Sequence, residues 1–177
     1  VTNKHVVAGN GDFRLSFLKE KDGLLILSEG FSVTIKRQDF SDQWFGHPDV
    51  GVDISVFPVL KLLEAVHQKE GIDIFFRAIS SRMIPTSKQI LELDALQPVT
   101  FIGYPDGIWD TKNFLPIARR GITASLIEVD FNGEPFFLID ASVFPGSSGS
   151  PVFILDSGPW LEKDDQWAIG FRFHFIG

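Results

Sequence analysis

Phe144-Pro145-Gly146-Ser147-Ser148-Gly149-Ser150-Pro151-Val152-Phe153 sets a serine between glycines in a turn that opens into an apolar strand. The pattern fits a nucleophile loop. Acyl transfer by serine needs a hydroxyl held on a tight turn, with free backbone N–H groups beside it to receive the charge that develops on the attacked carbonyl oxygen. Gly146 and Gly149 permit such a turn, because glycine adopts positive φ without steric cost and lets the backbone approach a substrate. Turns favour these residue types for conformational reasons alone. The stretch by itself therefore leaves a nucleophile loop and a plain surface loop both open.

A histidine and an aspartate upstream lie in matching contexts. Val1-Thr2-Asn3-Lys4-His5-Val6-Val7 leads a histidine out of a polar stretch into an apolar pair, and Gly51-Val52-Asp53-Ile54-Ser55-Val56-Phe57 opens a strand with an aspartate. Each has a bland counterpart. His5 reads equally as a strand-edge histidine, and Asp53 as a turn cap. Asp49 competes with Asp53 but lacks the apolar alternation that follows it. His47 and Asp49 invite a metal reading without a third ligand at a recognisable spacing. His67 falls in a helical stretch and His174 in the last strand, where both read as structural. The chain order His5, Asp53, Ser148 separates folds, because serine triads recur with different orders and this one is that of the chymotrypsin-like double barrel.

On these residues the chain resembles the trypsin-like serine proteases, and within them the HtrA/Deg branch. Thr2-Asn3-Lys4-His5-Val6-Val7 is similar to the branch's Thr-Asn-x-His-Val-Val, and Asp53-Ile54-Ser55-Val56 to its Asp-Leu-Ala-Val. Phe101-Ile102-Gly103-Tyr104-Pro105 resembles its Ile-Gly-x-Pro strand end, Arg120-Gly121-Ile122-Thr123-Ala124 its Gly-Ile-Val-Ser strand, and Asp140-Ala141-Ser142 the segment before Pro-Gly-x-Ser-Gly-x-Pro. The resemblance implies a mostly β, two-barrel fold in a single domain over residues 1–177, with the first barrel and an insertion at about 1–95 and the second barrel at about 96–177. Only four residues precede His5, so it also implies that strands of the first barrel lie upstream and that the sequence is a fragment. It implies a serine endopeptidase with His5, Asp53 and Ser148 as triad and the backbone N–H groups of Gly146 and Ser148 as oxyanion hole, needing no metal or organic cofactor. Ser142 falls near the base of the primary pocket, and Phe173, His174 and Phe175 along one wall. A catalytically silent binding or regulatory module built on the same domain is the rival reading. The digestive branch of the family places an aspartate immediately before the nucleophile, where it pairs with a new N-terminal amine. Here that residue is Ser147, a neutral group, which leaves a ligand, an oligomer or a neighbouring domain to order the loop.

Composition agrees with one sizeable core: 177 residues, 44% hydrophobic and 13% aromatic, with 18 phenylalanines that predict an aromatic interior. A net charge of −7 argues against a nucleic-acid surface, whose footprint is a basic patch. No run approaches the roughly 18 apolar residues of a membrane span. Without cysteine there is no disulfide framework and no thiol catalysis. That favours a cytoplasmic location slightly over a periplasmic one, and a polypeptide is the expected partner.

Short apolar or alternating runs predict strands at residues 14–18, 24–27, 31–35, 52–56, 99–103, 121–129, 135–139, 151–155 and 167–175. Asp22-Gly23 and Asn132-Gly133 predict tight hairpin turns. Residues 59–70 carry apolar positions at helical spacing and stop at Gly71, which predicts an inserted helix. The loop from 106 to 116 holds Trp109 between two aspartates, and the resemblance puts it towards the active-site rim.

Overall fold

In the computed structural model, which describes residues 1–40, 43–106, 108–161 and 165–177, the first hairpin forms where Asp22-Gly23 directs it. Asp22 and Gly23 take φ of 53° and 78°, the positive pair that a two-residue turn between twisted strands requires. Strands β1 (Phe13–Lys21) and β2 (Leu24–Ile35) pair antiparallel from Lys21 opposite Leu24 onward. The runs at 24–27 and 31–35 are thus one strand rather than two. A register shift between Leu18 and Glu20 and a positive φ at Ser28 absorb the break, as a bulge does without ending the ladder.

A short helix α1 (Lys4–Val7) precedes this hairpin and α2 (Arg37–Phe40) follows it. The two-residue strands β3 (Phe45–Gly46) and β4 (Ser55–Val56) pair antiparallel. The strand expected over 52–56 is only its last two residues, because 49–52 close a turn in which the Asp49 carboxylate accepts from the Gly51 N–H at 2.9 Å. Helix α3 (Leu60–Glu70) ends at Gly71, which takes φ 65° and donates its N–H to the His67 carbonyl. Strand β5 (Asp73–Phe75) then joins the free edge of β1, giving the order β2-β1-β5. Leu18, Val66 and Ile74 are buried from the strand and helix sides of this layer.

Residues 108–116 belong with these elements. Ser28 donates to the Asn113 side chain at 2.7 Å, and the Phe114 ring lies against Gly30 where any Cβ would collide with it. Val1–Ala78 and Gly107–Pro116 form one compact unit, and Ile79–Asp106 with Ile117–Gly177 form the second.

The second unit opens with a 3₁₀ turn, Ser81–Met83, and α4 (Ser87–Leu91). Thr86 and Gln89 cap α4 reciprocally, each side chain taking the other's backbone N–H. Its sheet orders β10 (Trp167–Phe175), β9 (Val152–Leu161), β6 (Pro98–Gly103), β7 (Ile117–Thr123) and β8 (Ile139–Ala141), all neighbours antiparallel. Two expected strands are displaced here. The run 121–129 leaves the sheet after Thr123, whose buried hydroxyl accepts from the Gln97 N–H at 3.0 Å, and the run 135–139 pairs only from Ile139. Between them Asn132 and Gly133 take φ 56° and 79°, the turn the sequence predicts. Strand β10 has the predicted bounds, and β9 runs on to Leu161.

The core of this unit is aliphatic, with Leu93, Val99 and Ile154 at its centre and Ile127, Ile139, Val152 and Ile176 around them. The aromatic interior expected from composition is therefore corrected. Among the described residues only Phe101 and Phe153 are buried phenylalanines, while Phe45, Phe136, Phe144 and Phe171 stand largely exposed. Along β10 the rings lean on one another from the exposed Phe171 inward, Phe171 on Phe173, and Phe173 and Phe175 on the buried Phe153. The architecture as a whole is mostly β with antiparallel sheets and one longer helix.

Candidate active site

In the first unit, His5 sits on α1 and Asp53 in the extended segment before β4. A backbone bridge brings them together: Thr2 and Ser55 exchange N–H···O bonds of 2.9 and 2.7 Å, and buried Ser55 fixes the segment two residues from Asp53. Asn3 adds a side-chain bond to the Asp53 carbonyl at 2.8 Å. The Asp53 carboxylate meets His5 twice, with Oδ2 at 2.5 Å from Nδ1 and Oδ1 accepting the His5 backbone N–H at 3.1 Å. The imidazole hydrogen bond, with the backbone bond behind it, holds the Asp53 carboxyl below the usual carboxylate range. A carboxylate on Nδ1 fixes the tautomer and leaves Nε2 as the basic nitrogen.

Asp49 takes no part in that pair. Its carboxylate closes the local turn, its carbonyl accepts from Lys4 Nζ at 2.7 Å, and its N–H donates to His47 Nδ1 at 3.2 Å. His67 bonds Asp73 at 2.7 Å at the end of α3. Among the described residues no group of three or more His, Asp and Glu is placed to hold a metal ion.

In the second unit, the loop between β8 and β9 is built on backbone geometry. Gly146 and Gly149 take φ of 81° and 83°, and exposed Ser148 lies between them. The Pro145 carbonyl accepts from the Asp106 N–H at 2.9 Å. Since the peptide is planar and trans, the Gly146 N–H is turned to the opposite side. A Cβ at Gly146 would stand 2.6 Å from Asp106 Oδ1, so only glycine allows this approach. Ser147 donates both its N–H and its hydroxyl to the Phe144 carbonyl, at 3.1 and 2.6 Å, and its own carbonyl accepts from Ser150 at 3.0 Å. Such an arrangement suits a serine nucleophile with adjacent N–H donors.

The family model of the trypsin-like peptidase domain matches residues 1–159. The chain belongs to that family. No curated protein and no solved structure matches it. Its mostly β architecture of antiparallel sheets is that of a trypsin-like protease, and the family's activity is serine proteolysis. No helix of the described residues is long and apolar enough to cross a membrane.

The pocket residues expected for this peptidase domain occupy two places within the second unit. Ser142 borders a shallow depression with Arg120, Ile122 and Asp140. On β10, Phe173 and Phe175 pack on Phe153 with ring centroids 5.1 and 5.7 Å apart. Phe173 and His174 also border a cavity of about 430 Å³ with Trp160, Arg172 and Arg82. Burial first, then the Arg172 charge, push the His174 imidazole below its usual range, against an opposing pull from Asp156. Two contributors escape the sequence reading. Asp106 bonds the loop through its backbone N–H, which no side-chain motif advertises. Arg119, on β7, donates to Ser147 Oγ at 2.9 Å, and its signal was the charged pair Arg119-Arg120 inside a strand, where alternation sends one side chain to each face.

Proposed function

We propose that this domain is a serine endopeptidase of the HtrA/Deg branch, with His5, Asp53 and Ser148 as its triad. The observation that carries the proposal is the His5–Asp53 pair, whose 2.5 Å contact falls on Nδ1 and leaves Nε2 open to proton transfer. Ser148 Oγ attacks the peptide carbonyl carbon and its proton passes to His5 Nε2. The carbonyl oxygen becomes an oxyanion, received by the N–H groups of Gly146 and Ser148. Collapse expels the amine, which takes the proton from His5 and leaves an acyl ester on Ser148. Water then attacks the ester and gives a proton to His5, and collapse of the second tetrahedral intermediate frees the acyl group as a carboxylic acid while His5 returns that proton to Ser148 Oγ.

Asp53 stays ionised throughout and stabilises the imidazolium, in keeping with its lowered pKa. The whole chain acts as one peptidase domain in this reading. Ser142 offers no carboxylate to a basic side chain, so cleavage after small or medium apolar residues is expected. The test is a peptide-library cleavage profile of the chain beside Ser148→Ala. Cleavage by the wild type alone, after apolar residues, is the expected result. A profile dominated by Lys or Arg overturns the specificity, and equal profiles from both proteins overturn the mechanism.

A further inference from the structure

Arg119 stands directly opposite Phe101 in the β6–β7 register, and its guanidinium lies 4.4 Å from the centre of that buried ring and 5.8 Å from the Phe144 ring. From there it reaches two points of the segment that ends in Ser148. Nη2 donates to Ser147 Oγ at 2.9 Å and Nη1 to the Ser142 carbonyl at 3.3 Å. Ser147 in turn bonds the Phe144 carbonyl twice and accepts from Ser150, so the residue Arg119 grips is the centre of the loop. Among the described residues no carboxylate pairs with Arg119, and its Nε–H is enclosed without a partner. A half-buried cation with no counter-charge and an unsatisfied donor costs stability. That cost fits a group kept for what it positions.

We propose that Arg119 is the positioning residue that orders the nucleophile loop, with the neutral Ser147 hydroxyl as its handle. The inference deepens the proteolytic reading and rests on it for its catalytic consequence. A strand residue with a planar fork suits this role, because strand register fixes its Cα while two N–H groups hold two separate acceptors. The loop is thereby ordered from within the five-stranded sheet, without a buried ion pair.

Amide hydrogen exchange and peptide hydrolysis on the full chain test this in wild type, Arg119→Gln, Arg119→Lys, Ser147→Ala and the Arg119→Gln/Ser147→Ala double variant. In Arg119→Gln the Ser147 and Ser150 amides should exchange about tenfold or more faster, while β6 and β7 keep their protection. Its kcat should fall about 10- to 100-fold with KM little changed, since a displaced loop misplaces nucleophile and oxyanion donors alike. Arg119→Lys should recover part of both, and the double variant should be no worse than Arg119→Gln, because both changes break one contact. Unchanged exchange at Ser147 and Ser150 in folded Arg119→Gln, or additive losses in the double variant, would overturn the proposal. Exchange that responds as expected in a chain that hydrolyses nothing would support the loop role and overturn the proteolytic reading, which keeps the two failures apart.

Discussion

Asp53 meets His5 through a carboxylate that accepts from both the ring and the backbone, whereas Ser148 owes its place to two glycines at positive φ, a pinned Pro145 carbonyl and a gripped Ser147. The first region is held by charge and the second by backbone shape. The two should therefore fail under different substitutions. The first should suffer most from loss of the Asp53 charge, and the second from a methyl group at Gly146 or from loss of the Arg119 fork that holds Ser147.

The largest effect expected is at the charged pair. Asp53→Asn keeps the volume and removes the charge, so kcat should fall by about a thousandfold or more, the scale on which a neutralised triad aspartate leaves the wrong tautomer. Steady-state kinetics beside a circular dichroism spectrum checks it, and a loss under tenfold would show that charge does not hold this half. Next comes Gly146→Ala, where the new Cβ meets the Asp106 side chain and backbone at 2.6–2.7 Å and φ is 81°. Activity should fall about a hundredfold and thermal stability by about 1–2 kcal/mol, the cost of a non-glycine residue in left-handed backbone. Activity and stability near wild type would mean that the loop is not shaped by glycine.

Acid should act on the first region. Because the folded Asp53 pKa lies below its reference of 3.8, the pair's contribution to stability is present above 3.8 and is lost as pH falls through the lower folded value. The Asp53 carboxyl resonance should titrate below 3.8, with the Ser147 and Ser150 amides unmoved over the same range. The smallest effect belongs to His174. Its folded pKa lies below 6.5, so the stability of the neutral form is full above 6.5 and is lost as pH falls from there through the lower folded value. Replacing it in His174→Gln should flatten the dependence of Tm on pH across that window by on the order of 1 °C, and an unaltered slope would remove His174 from the balance.

Much of this was legible in the residues. The turn dipeptides at Asp22-Gly23 and Asn132-Gly133, the helix stop at Gly71 and the bounds of the last strand all follow from local conformational preference, which needs no tertiary partner. What local preference could not show was register. One bulge merges two apolar runs into β2, and a buried hydroxyl at Thr123 ends β7 inside an apolar run. The capped helix α4 was written in Thr86-Ser87-Lys88-Gln89, yet too short an apolar stretch follows to stand out. Arg119 was hidden for the same reason as the bulge: its meaning depends on the strand opposite, where Phe101 receives it. Composition likewise counted the phenylalanines without saying which face of a sheet they would occupy.

Fluorophosphonate labelling of the full chain, followed by mass-spectrometric mapping of the modified residue, tests whether Ser148 is the nucleophile. A single adduct on Ser148, absent in Asp53→Asn over the same interval and undiminished by added chelator, is the predicted result. An adduct on Ser147 or elsewhere, or a folded wild type that takes no label, would show that Ser148 is not the nucleophile.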